Sequence, residues 1–213
     1  MKFKRILYLM LIITVMVVVA ACGAKKPTPK EAAEVLVNTM IYQKDEDIKK
    51  YESVFNKDAT QLKEGAENLF KAGFSTSPDL GFSDKEVTDL WNMILKQMND
   101  KATYTVEVVK NDKTNPEIII KIKGIRMTSI TTTNQSEIKE AVQKDPTIAQ
   151  DKAKRTKLLI SVMKDAIKNI EASDTEVTIP VKLEPNKDSK NKWQIVDEIQ
   201  TTSKIATAFL LGQ

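Results

Sequence analysis

The chain of 213 residues contains no histidine and a single cysteine, Cys22. Without histidine it lacks the commonest general base, any Ser-His-Asp triad and the usual ligand of transition-metal sites. One cysteine cannot form a disulfide within one molecule, so a folded domain must be held together by its core. There are six glycines and no G-x-x-x-x-G-K-[ST] or G-x-G-x-x-G segment, which leaves little room for a phosphate cradle. Net charge is scarce as well. The chain carries 33 basic and 29 acidic residues, and three of the basic ones are Lys2, Lys4 and Arg5. Everything after them is nearly neutral, which excludes a generic nucleic-acid binder. No cofactor, no metal and no nucleic-acid partner is expected.

What is present begins at the N-terminus. Lys2, Lys4 and Arg5 precede an apolar run from Ile6 to Ala21 that ends in small residues. A basic start, a short apolar stretch and a small-residue end are the parts of a secretory signal. The run is shorter than the roughly 20 residues that a spanning helix needs. Val19-Ala20-Ala21-Cys22 resembles the lipobox of bacterial lipoproteins. That resemblance implies cleavage before Cys22 and a diacylglyceryl group on its thiol. The two chains match the requirement for stable attachment, at about 0.8 kcal/mol per buried CH₂. It also leaves no free thiol nucleophile. Two other readings stand beside it: an uncleaved membrane helix with an incidental cysteine, and a signal cut without lipidation.

Residues 1–21 therefore read as the signal, 22–30 as the lipidated cysteine and a polar tether, and 31–213 as one domain. Thr28-Pro29-Lys30-Glu31 has the pattern of a capping box with proline at the first helical position. Ala33, Val35, Leu36, Val37, Met40 and Ile41 follow as an apolar face. Helices are expected after Asp45, from about Ala59 to Ala72 with Gly73 at the end, and after a second capping box at Ser83 to Glu86. A loop is expected from Phe74 to Phe82. The period then changes to two: Tyr104, Val106 and Val108, then Ile118, Ile120 and Ile122, form a hairpin. Thr128 to Thr133 reads as a polar link. A short helix capped by Asn134 and Glu137 is expected to break at Asp145-Pro146. A long one runs on to about Ala172, with Leu159, Val162, Met163, Ala166 and Ile170 inward. A second hairpin pairs Val177 to Leu183 with Lys192 to Val196, and Pro180 marks its first strand as an edge. A last short helix follows Ser203. Such segregated blocks indicate an α+β fold: N-terminal helices and an antiparallel sheet from two β-hairpins separated by a helical segment.

The closing Lys192-Trp193-Gln194-Ile195 and the alternating strands Tyr104–Val109 and Ile118–Ile125 resemble uncharacterised lipoproteins of Gram-positive bacteria with NTF2-like or cystatin-like domains. The resemblance implies helices packed on a curved antiparallel sheet and an outward-facing position on the cell membrane. It implies no particular chemistry. The helical segment Asn134–Ala172, which splits the hairpins, departs from a simple NTF2-like chain.

Several residue groups carry a functional and a structural reading. Ser161-Val162-Met163-Lys164 matches S-x-x-K of penicillin-recognising enzymes, but S-D-N and K-T-G are missing. Helical periodicity puts Ser161 and Lys164 on the solvated side. Asp45, Glu46 and Asp47 suit a helix N-terminus, with a calcium site as the alternative. Asn186 and Asp188 are turn formers. Lys152, Lys154, Arg155 and Lys157 form a solvated helix face or a contact for anionic headgroups or wall polymers. Trp91 and Trp193 are core aromatics first and ligand platforms second. The sequence thus points to a non-enzymatic, lipid-anchored binding or interaction domain. Its partners would be the membrane through Cys22 and a cell-envelope protein, polymer or small apolar ligand. The alternatives are a carboxylate-only hydrolase and a pheromone precursor cut from Ile13–Ala21.

Overall fold

A computed structural model describes residues 26–75 and 81–212. The signal, the lipobox, Cys22 and the middle of the expected Phe74–Phe82 loop lie outside the described residues.

The fold is α+β, with seven described helices and an open four-stranded antiparallel sheet in the order β1-β2-β3-β4. Helix α1 (Pro29–Val37) starts where its capping box predicts: Thr28 Oγ1 accepts from the Glu31 amide, and the Glu31 carboxylate accepts from the Thr28 amide at 2.7 Å. It continues into a π-helical turn (Asn38–Tyr42) that keeps Met40 and Ile41 buried. Helix α2 (Asp45–Phe55) buries Tyr51, Val54 and Phe55. Helix α3 (Thr60–Ser75) runs past Gly73, which lies inside it and does not end it. Helix α4 (Asp84–Lys101) begins at the second capping box, with Ser83 and Glu86 exchanging hydrogen bonds.

Strands β1 (Thr103–Lys110) and β2 (Glu117–Lys123) pair in the expected alternation, with Val106 opposite Ile120. The inward Ile118, Ile120 and Ile122 are fully buried, and the outer face stays polar, with Lys121 bridging to Glu107 at 3.0 Å. Strand β3 (Val177–Pro185) pairs with β2, and the short β4 (Trp193–Ile195) pairs with Leu183 to Pro185. Pro180 therefore does not mark an edge strand. It tolerates its place because β4 is short. Leu183 donates its amide toward β2, so strand alternation turns the Pro180 nitrogen to the other side, beyond the reach of β4.

The helical segment between the hairpins differs most from expectation. Thr128–Thr133 is no link: helix α5 spans Thr128–Lys144 and passes straight through Asn134. A 3₁₀ turn (Pro146–Ala149) follows, and helix α6 (Lys152–Lys168) ends short of Ala172. Its buried positions are Ile160, Val162 and Ile167, while Leu159 is only half-buried; Ile170 is buried beyond the helix end. The excursion leaves and re-enters the sheet at one point. Ile125 bridges to Ala172, Ser173 donates to the Gly124 carbonyl at 2.7 Å, and Arg126 pairs with Glu171 at 2.8 Å. Closed at its base in this way, the insertion leaves β2 and β3 adjacent.

Helix α7 (Glu198–Leu211) starts well before Ser203 and closes the core with Ile205, Ala208 and Phe209. Gly124 lets it approach: a Cβ there would collide with the Ala208 and Phe209 carbonyls. Ile125 donates its amide to Phe209 at 2.8 Å. Helices α1 and α7 thus cover the inner face of the sheet, α3 and α4 pack on each other and on the π-helical turn, α6 packs on α4, and α5 packs on α6. Among the described residues no helix is long and apolar enough to cross a membrane.

Candidate functional site: a groove beside the last helix and the root of the tether

The outer face of α7 is incompletely covered. Leu62 and Ala66 of α3 are only partly buried, and across from them lie Ala206 and Leu210 of α7. Between these helices runs a groove of about 590 Å³, floored by Met40 and Met127. It is lined mostly by apolar side chains, with the Gln61, Thr202, Ser203 and Thr207 side chains as its polar points. Ile199 stands at its rim with 87% of its surface exposed, the most exposed of the large apolar side chains described. A shape of this kind suits an apolar ligand or the apolar side of a partner.

The groove opens at one end into a second hollow of about 480 Å³ lined by Tyr51, Lys57, Asp58 and Glu198. Glu198 accepts from Lys57 and from the Tyr51 hydroxyl at 3.5 Å. Burial, with the Glu198 charge beside it, pushes the Tyr51 phenol well above its ordinary value. Asp58 accepts from both the amide and the hydroxyl of Thr60, at 2.8 and 2.7 Å, which holds its carboxyl below the usual range. A carboxylate-only hydrolase needs one carboxyl kept protonated by a raised pKa. Asp58 is shifted the opposite way, and Glu198 is committed to its two partners.

At another place on the surface the tether meets the domain. Trp193 on β4 is 2% exposed, and its indole Nε1 donates to the Pro27 carbonyl at 2.7 Å. The Lys26 ammonium sits over the same ring, 3.3 Å from its centre, and partial burial there lowers its pKa. Trp193 is thus a core aromatic, as expected, whose outer side grips the chain's own N-terminal segment. Sequence reasoning missed this contact because its partners are 166 positions apart.

The other singled-out residues are structural or scattered. Ser161 is exposed on α6, Lys164 is half-buried toward Glu86, and no hydrogen bond joins them. The acidic cluster forms the first turn of α2, and Asp47 accepts from Asn38 Nδ2 at 2.8 Å. Among the described residues no cluster of three or more potential metal ligands occurs. Asn186 is buried, its Oδ1 accepting from the amides of Asp188 and Ser189 and its Nδ2 donating to Phe55, as a turn former should. The basic run divides. Lys154 is held by Asp145 and Thr147, and Arg155 by the Ala149 carbonyl. Lys152 and Lys157 line a hollow of about 630 Å³ against Glu86 and Gly81. Trp91 is buried and packs on Phe70, with ring centres 5.4 Å apart.

A one-sided antiparallel sheet covered by helices, with a groove beside its last helix, defines an α+β domain without a recognisable catalytic constellation among the described residues. The chain belongs to the family described as "Domain of unknown function (DUF5105)", which matches residues 19–210. No curated protein matches it. Its fold is similar to that of the "putative lipoprotein (ycdA)" of Bacillus subtilis subsp. subtilis str. 168, with a TM-score of 0.66 and 16% sequence identity. The similarity covers 85% of this chain and 55% of that one, so this chain spans about half the length of its structural neighbour.

Replacing Trp193 by Phe keeps a smaller aromatic ring but removes the N–H that pairs with the Pro27 carbonyl. It should lower stability by about 1–2 kcal/mol. Lys26→Gln should cost about 0.5–1 kcal/mol through the lost cation–π contact. Denaturant midpoints check both, and unchanged midpoints in both variants would mean that the tether is not held there.

Proposed function

We propose that the chain is a lipid-anchored, non-enzymatic binding or interaction domain on the outer face of a bacterial cell membrane, attached through a diacylglyceryl group on Cys22. The observation that carries this reading is the tetrapeptide Val19-Ala20-Ala21-Cys22, placed behind a basic and apolar leader and four residues ahead of Lys26, where the folded domain is gripped by Trp193. The span matched by the family begins at Val19, so Cys22 lies within it. The lipoprotein description of a structural neighbour, which bears on its fold alone, agrees with this reading.

The groove between α3 and α7 is the proposed place of binding, with a small apolar ligand or an envelope partner as its occupant. Its apolar lining and the exposed Ile199 support this choice. The absence of histidine from the sequence and the lowered Asp58 carboxyl support the non-enzymatic part. The finer NTF2-like or cystatin-like likeness belongs to this proposal too, and helices packed on an antiparallel sheet are what support it.

Labelled palmitate should enter the wild-type chain in a bacterial host and be absent from Cys22→Ala, which should leave the membrane fraction. An apolar ligand that raises the Tm of the wild type should not do so in Leu62→Arg, whose charge would occupy the groove. Equal labelling of both chains contradicts the anchor, and an equal Tm shift contradicts the groove.

A further inference from the structure

The geometry points to a second membrane contact: we propose that the end of the sheet carrying the β3–β4 turn faces the bilayer, with Lys187 and Lys190 against anionic phospholipid headgroups. This rests on the anchorage through Cys22 proposed above. Lys26 is four positions beyond Cys22, and an extended chain of that span reaches at most about 14 Å. Lys26 is fixed over Trp193, and Pro27 is bonded to the Trp193 indole. The lipid is therefore confined to the neighbourhood of β4.

Trp193 is the first residue after the β3–β4 turn and pairs with Pro185, the last before it. The turn is closed by the Asn186 amide on the Lys192 carbonyl and fastened to the body by Asn186 Nδ2 on Phe55. It is thus a rigid projection beside the tether root. Lys187 and Lys190 are exposed on it and make no ion pair among the described residues. Among the described residues Lys192 donates to neutral oxygens, the Glu52 carbonyl and Asn56 Oδ1, and pairs with no carboxylate. Asp188 is the one acid in the turn, which leaves a net charge of about +2 there. Cations held this close to an anionic leaflet lie within the range of its surface potential, which decays over a Debye length of about 8 Å at physiological salt.

The test uses the full lipidated chain on vesicles, because the thiol of Cys22 is then consumed and one engineered cysteine can be labelled uniquely. Asn191→Cys places a fluorophore in the turn, and Glu176→Cys places one at the opposite end of the sheet, just before β3. On phosphatidylglycerol-containing vesicles, headgroup nitroxides should quench the label at position 191 and leave that at 176 largely unquenched. On phosphatidylcholine alone, or in high salt, the quenching at 191 should fall. Adding Lys187→Gln and Lys190→Gln to the Asn191→Cys chain should lower the ratio of docked to undocked molecules about fivefold per lysine, while flotation with the vesicles is unchanged. Equal quenching at both ends, or quenching at 191 that ignores the two lysines and the lipid charge, overturns the proposal. A wild-type chain recovered without lipid, or a Cys22→Ala chain that floats as well as the wild type, overturns the anchorage reading, and this proposal falls with it.

Discussion

Ile118, Ile120 and Ile122 of β2 are completely buried on one face of a sheet whose other face is polar, and the rest of the molecule is arranged around that asymmetry. With no disulfide to restrain the unfolded chain, burial of apolar surface at roughly 25 cal/mol per Å² is the main force available. Strands β1 and β3 satisfy the backbone of β2 on both sides, and α1 and α7 supply the apolar cover. A polar residue in place of Ile120 would face Val106, Ile179 and the helices with nothing to pair with.

The helical excursion follows from the same constraint. The chain leaves β2 at Gly124 and returns at Ser173, and these two residues share a backbone hydrogen bond. The insertion can therefore be long without displacing β3 from β2. It can also be less tightly packed than the core: among its described residues, the 3₁₀ turn buries none and α6 buries only Ile160, Val162 and Ile167. The groove arises on the other side of α7, where α3 approaches α7 without closing over it. Core and groove thus share one helix, with Phe209 facing in and Ile199 facing out.

Much of this was legible in the sequence where the signal is local. Both capping boxes start helices at their expected residues, because the bonds involved span three positions. The hairpins follow from an apolar residue at every second position, and the inward side chains are those that the period of two selects. Failures occurred where distant parts of the chain decide. Threonine is a poor helix former, so Thr128–Thr133 reads as a link, yet α5 runs through it. Leu159 and Ile160 are equally apolar, and only packing against α4 decides which is buried. Pro180 reads as an edge because sequence does not disclose that β4 is too short to reach it. The groove and the grip of Trp193 on Pro27 and Lys26 join segments far apart in sequence, and no local pattern announces either.

The tether contact joins architecture to placement. A domain swinging freely on a long linker would have no preferred face toward the membrane. Under the anchorage proposed above, a domain whose N-terminal segment is bonded to a buried tryptophan has one, and its orientation then depends on the same core that β2 organises. Native-state hydrogen exchange tests that dependence most directly. The amides of Ile118, Ile120 and Ile122 should exchange only through global unfolding, together with the slowest amides of α1 and α7, while those of α5 and α6 open earlier. Exchange of the β2 amides ahead of those in α5 and α6 would contradict the account.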